Sequence, residues 1–198
     1  MKQRGSKILV PLSQEPPAGW PRGEVGQAAY HPAGYPRRLS AAPGQRRSHF
    51  TALAEDAFPQ FASRINCFGA DWLGNQFATD TGRTADGEPL VLLLEPGTGK
   101  AMAIPASFNS FHVHQLVENA EAAVALSFYK RWLAAGGAAP AYDQCVGYRR
   151  PLYLGGVDDV ENLELSDLDV YWTISAQILA KTRGVSPGTR IGRVSITG

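Results

Sequence analysis

Residues of four kinds in this chain could take part in chemistry, and their spacing decides how far each goes. His112 and His114 stand two apart, so on a strand both side chains would share a face and could bind metal. In a helix they diverge, and the run opened by Ser107 with Phe108 and Phe111 reads as a short helix. No third ligand lies nearby, so no metal is expected. Cys145 is a nucleophile only if a base activates it, and His112 and His114 are the available bases. Nothing in their positions brings them to it, and a buried structural thiol is the favoured reading. The third group, Pro96-Gly97-Thr98-Gly99-Lys100, resembles the end of a phosphate-binding loop. That loop needs G-x-x-x-x-G-K-[ST], but Leu94 stands at the first glycine and Ala101 at the hydroxyl, and a strand rather than a helix follows. The fourth group is the acids Asp158, Asp159, Glu161 and Glu164. They lack the calcium pattern because the aspartates are adjacent and no glycine follows at the required offset. A carboxylate pair for hydrolysis has no fixed sequence spacing, so catalysis stays open beside a solvated loop and a contact surface for a basic partner.

These groups must be placed by ordinary elements. The segment 151–183 predicts a short apolar strand near Leu152, a Gly155-Gly156 turn, the acids, and then a helix over 166–183. Ser166 is the expected N-cap, with Asp169 in a capping-box position and Gly184 as the stop. Leu168, Tyr171, Trp172, Ser175, Ile178 and Leu179 form its inward stripe. A second helix is expected from an Asn119 cap to Ala135, with Val124, Phe128 and Trp132 on one side. Phe50, Leu53, Phe58 and Phe61 suggest a short helix interrupted at Pro59, and Gln76–Asp80 a strand. The runs 89–95 and 100–104 read as a hairpin across Pro96–Gly99, and the residues around Cys145 and the tail from Pro187 as further strands.

Composition separates the chain into two parts. Of its 198 residues, 44% are apolar, as expected of a globular protein. Residues 1–50 hold eight Lys or Arg against two acids, a charge of +6. The remaining 148 hold eleven against sixteen, a charge of −5. Residues 1–48 are rich in Pro, Gly, Ala and Arg without periodicity and read as a disordered basic leader; residues 49–198 read as one domain. Arg37, Arg38, Arg46 and Arg47 could touch nucleic acid weakly, although a solvated tail is the simpler reading. Two cysteines make no disulfide framework, and no apolar run suits a signal peptide or a membrane span. A cytoplasmic protein is expected.

Several segments resemble, in order, the C-terminal domain of Tdi-type type VI secretion immunity proteins. The marks are D-W-L-G at 71–74, E-P-G-T-G at 95–99, C-V-G-Y at 145–148, L-G-G at 154–156, N-L-E at 162–164 and D-L-D-V-Y-W at 167–172. The resemblance spans about residues 50–196, and the general layout is similar to immunity proteins of the Smi1/Knr4 type. It implies an α+β protein that binds and neutralises a cognate secreted bacterial toxin, a DNase in the named case, with no catalytic set and no cofactor. Independently, an acidic body suits a basic partner, because a nuclease must present positive charge to DNA. The expected architecture is α+β, with a mainly antiparallel sheet from the hairpin, the Cys145 region, the Leu152 strand and the tail, packed by two or three helices. Asp158, Asp159, Glu161 and Glu164 are the expected partner-binding residues. The alternative is an enzyme of unknown type using Cys145 or the 158–164 carboxylates.

Overall fold

The computed structural model describes residues 30–31, 48–115, 125–186 and 189. Most of the expected leader, including Arg37, Arg38, Arg46 and Arg47, and most of the tail lie outside the described residues, as do residues 119–124 of the helix expected from Asn119.

An antiparallel sheet of five strands runs in chain order: β1 (Tyr30–His31), β2 (Ile65–Asp71), β3 (Gln76–Ala85), β4 (Glu88–Glu95) and β5 (Lys100–Ser107). Strand β4 explains why the run Val91-Leu92-Leu93-Leu94 is apolar without alternation. Successive side chains point to opposite faces, and both faces are covered. Leu92 and Leu94 join a cluster with Ala54, Phe58, Ala78, Leu168, Trp172 and Ala176. Val91 and Leu93 join Phe68, Phe77, Ile104 and Phe111 on the other side. The turn between β3 and β4 is Asp86-Gly87, both at positive φ, the pair that matches the twist of a two-residue hairpin.

Helix α1 (His49–Ala57) starts where the Ser48 hydroxyl accepts the Thr51 amide at 3.1 Å, and it stops before Pro59. Helix α2 spans Leu126–Ala134 and opens after Ala125 at φ 48°, so the helix expected from Asn119 to Ala135 does not run through residue 125; α3 spans Leu168–Thr182. A second sheet pairs β6 (Gln144–Tyr148) with β7 (Leu163–Asp167), antiparallel. The fold is therefore α+β, as the sequence implies, but it differs from expectation in several places.

The Cys145 strand does not extend the hairpin's sheet; it forms the two-stranded one with β7. The Leu152 region is a 3-10 turn, Leu152–Leu154, because Gly155 at φ 80° and the Pro151 carbonyl close the chain on itself. Helix α3 is capped by Asp167, whose carboxylate accepts the Val170 amide at 2.9 Å, rather than by Ser166. Ser166 is still in strand β7, paired with Cys145, so the chain turns helical one residue later.

The two sheets are joined by the tight loop Asp71–Asn75, which carries the D-W-L-G mark. Asp71 is buried, and its carboxylate accepts from the Leu73 amide, the Asn75 amide and the Asn75 side chain at 2.8–2.9 Å. Outward from this loop, the Trp72 carbonyl accepts the Val146 amide at 2.7 Å, and the Gly74 carbonyl accepts Trp172 Nε1 at 2.7 Å. One five-residue loop thus fixes both β6 and α3. The Trp72 ring itself packs on Phe128 and Tyr129 of α2, in a third cluster with Val146, Tyr148 and Leu163.

Candidate partner-binding surface

The acidic segment begins where β6 ends. Arg149 and Arg150 make the bend, and Asn162 then secures the returning chain from several sides. Its side-chain amide donates to the Arg150 and Val157 carbonyls at 2.9 Å, and its side-chain oxygen accepts the Arg150 amide at 3.0 Å. Its own carbonyl accepts the Arg149 amide at 2.8 Å. Gly156 lies so close that a Cβ there would stand 2.0 Å from the Arg150 carbonyl oxygen. Only glycine permits this approach. The loop is further tied to the large sheet by the Leu152 amide, which donates to the Gly97 carbonyl at 2.8 Å.

On this frame the four acids take different positions. Asp158 is exposed and accepts the Tyr148 hydroxyl at 2.6 Å. Asp159 caps the 3-10 turn Val160–Asn162 through the Val160 amide and pairs with Arg131 of α2. Glu164 lies within β7, opposite Gly147, with Arg149 at 3.6 Å. Glu161 is exposed on the 3-10 turn. The segment is therefore not a loop running straight into the helix, because β7 stands between them. Asp159 and Glu164 each face an arginine across the surface, and such solvent-exposed pairs contribute roughly 0–1 kcal/mol.

The other candidates separate in space. Cys145 is wholly buried, and that burial, with Asp71 and Asp167 nearby, pushes its thiol well above the usual range. Cys67 is likewise buried, with its thiol pushed up to about 12. His112 lies elsewhere, ringed by Phe68, Phe108 and Phe111, with Nδ1 against the Phe108 carbonyl. Burial brings its pKa down to about 4. His114 is exposed on the same helical turn. Among the described residues no three or more His, Cys, Asp or Glu are grouped to hold a metal. The Pro96–Gly99 segment is a hairpin turn, with Lys100 opening β5.

The stretch from the end of β5 through most of α3 carries α2, the second sheet, the Asn162-stapled loop and the four acids, and it can be compared with known families as a unit. Residues 107–179 match the family T6SS immunity protein Tdi1, C-terminal. A search of curated proteins finds no match.

Of the marks that carry the resemblance to Tdi-type proteins, C-V-G-Y, L-G-G, N-L-E and D-L-D-V-Y-W fall inside the matched residues; D-W-L-G and E-P-G-T-G fall before them. The structure gives several of these marks physical roles. Asn162 of N-L-E and Gly156 of L-G-G fold the acidic loop, and Asp167 of the last mark caps α3. Gly147 of C-V-G-Y packs under Tyr171, where a Cβ would stand 2.4 Å from the ring. Asn162 is not singled out by residue chemistry, since a lone Asn has no charge and no periodicity. Its place within the acid cluster, a few residues after the Gly155-Gly156 turn, is the signal that the sequence holds.

Proposed function

We propose that this protein binds and neutralises a cognate secreted toxin, without catalysis, in the cytoplasm of the bacterium that makes the toxin. The match of residues 107–179 to the Tdi1 C-terminal immunity family is the observation that carries this reading. The partner expected is basic, and a DNase fits because its substrate-binding face must be positive. Asp158, Asp159, Glu161 and Glu164 are the proposed contact residues, held as a group by the Asn162 staple. The match speaks to a protein partner, so nucleic acid enters only as a weak contact of the leader, and no cofactor is part of the proposal. No helix among the described residues is long and apolar enough to cross a membrane.

The alternative is an enzyme using Cys145 or the 158–164 carboxylates, and its Cys145 form has little to support it. A nucleophilic thiol needs partial exposure and a nearby base. Cys145 is wholly buried, while His112 sits in the aromatic cluster on another part of the fold. The deciding experiment is co-expression with the product of the neighbouring gene. Protection of a sensitive bacterium together with a one-to-one complex is the expected result. A neighbouring toxin that kills equally well in the presence of this chain defeats the proposal.

A further inference from the structure

We infer that the outer edge of β7 is a docking site for an extended segment of the protein partner, which would add a third strand to the small sheet. The inference rests on the proposed immunity function and deepens it.

The edge is exposed by the hydrogen-bond pattern of β6. The amides of Gln144, Val146 and Tyr148 donate to the Ala141 carbonyl, the Trp72 carbonyl and the Tyr171 hydroxyl, so all three point away from β7. In an antiparallel ladder, bonded and non-bonded pairs alternate. The bonded pairs are therefore Cys145 with Ser166 and Gly147 with Glu164, and the backbone groups of Leu163, Leu165 and Asp167 face outward. The Leu163 amide is used by the Val160 carbonyl. The Leu165 amide and carbonyl and the Asp167 amide have no partner among the described residues, and Leu165 is 37% exposed.

Two other long strands, β2 and β5, have their outer sides covered or interrupted. On β2 the Cys67 amide donates to the Thr51 hydroxyl at 3.0 Å, and β1 pairs with Ala70 and Asp71. On β5, Pro105 offers no amide. Strand β7, Leu-Glu-Leu-Ser-Asp, has neither proline nor lysine, and its only charges are the acids Glu164 and Asp167, which repel an acidic strand and admit a basic one.

Charge selects the occupant. Exposed Asp143, Glu161, Glu164 and Asp167 lie along or beside this strand, with Arg149 the cation paired to Glu164. An added strand from a basic protein meets the Leu165 side chain on one face and Glu164 on the other. Its chemistry is thus an extended stretch with an apolar residue opposite Leu165 and a Lys or Arg opposite Glu164.

The test is amide hydrogen exchange on the full chain, alone and mixed with the toxin encoded by the neighbouring gene. In the free chain the Leu165 and Asp167 amides should exchange fast and those of Glu164 and Ser166 slowly. In the complex, Leu165 and Asp167 should slow by at least about tenfold. Leu165→Pro removes an outward amide without breaking a ladder bond, and should weaken the complex at least about tenfold, well beyond Leu165→Ala, which keeps the amide. A complex that leaves Leu165 and Asp167 unprotected overturns the docking site and leaves the immunity function standing. Failure to form a complex overturns both. Protection that grows with the concentration of the free chain assigns the edge to a second copy and overturns the partner.

Discussion

Acids occur in two settings in this molecule, and only one of them is conspicuous in the sequence. Asp71 and Asp80 are isolated in sequence and fully buried, and each is surrounded by donors. Asp71 holds its own loop through two backbone amides and Asn75. Asp80 receives Arg64 in bidentate fashion at 2.7 and 2.8 Å and the Gly82 amide at 3.0 Å. The acids from Asp158 to Glu164 are clustered in sequence and largely at the surface, and Asp159 and Glu164 face arginines in solvent. A buried carboxylate persists only where donors replace its water, so its place is structural. A solvent-exposed carboxylate pair gives little to the fold, so its charge can serve a partner at small cost to stability.

The sharpest way to break this comparison is Asp71→Ala. It leaves two buried amides and the Asn75 side chain without an acceptor, in the loop that holds both β6 and Trp172. A loss of about 3–4 kcal/mol is expected in urea unfolding; a loss below about 1 kcal/mol would place the junction of the two sheets elsewhere. Gly147→Ala comes next. Its Cβ would stand 2.4 Å from the Tyr171 ring, and repacking that ring should cost about 2 kcal/mol, read from the same unfolding curve.

How much of this was legible depends on whether the determinant was local. Helix α3 was visible because its stripe and acidic first turn lie within a few residues, and the β4–β5 hairpin because Pro96–Gly99 is turn chemistry. The cap was misplaced by one residue because Ser166 is held in β7 by a partner more than twenty residues away, which no local pattern encodes. The second sheet was missed for the same reason: β6 looked like any other strand, and its separation follows from its bond to the Trp72 carbonyl. Leu152 reads as strand from its apolar neighbours, yet the Pro151 carbonyl and Gly155 curl it into a turn. Among the candidate residues, the acids were readable as a cluster, whereas their geometry depends on Asn162 and on Tyr148, whose roles appear only once the chain folds back.

Acid titration sharpens the buried side of the comparison. The Arg64 hydrogen bonds hold the Asp80 carboxyl below its usual range. A group with a lowered folded pKa stabilises above its unfolded value, so this contribution is lost as pH falls below about 4. His112 adds a limb at higher pH. Burial lowers it from 6.5 to about 4, so the unfolded chain binds the extra proton first and stability falls as pH drops between those values. Thermal unfolding from pH 7 to 3 should show both losses. His112→Phe should flatten the upper one and Asp80→Asn the lower; if neither limb responds, these two groups do not govern acid stability.

The smallest expected effect on the fold tests the conspicuous acids. Glu161→Gln, Asp159→Asn and Glu164→Gln should each change stability by under about 1 kcal/mol, since they alter at most one solvent-exposed ion pair. Asp158→Asn removes a charge but keeps an acceptor for the Tyr148 hydroxyl, so it belongs with them. A small effect on unfolding combined with a weakened, salt-sensitive toxin complex would assign these carboxylates to the partner, because charge at a contact acts on association while the fold is indifferent to it. Substitutions that unfold the chain as severely as Asp71→Ala would instead make the segment structural and erase the distinction between the two kinds of acid.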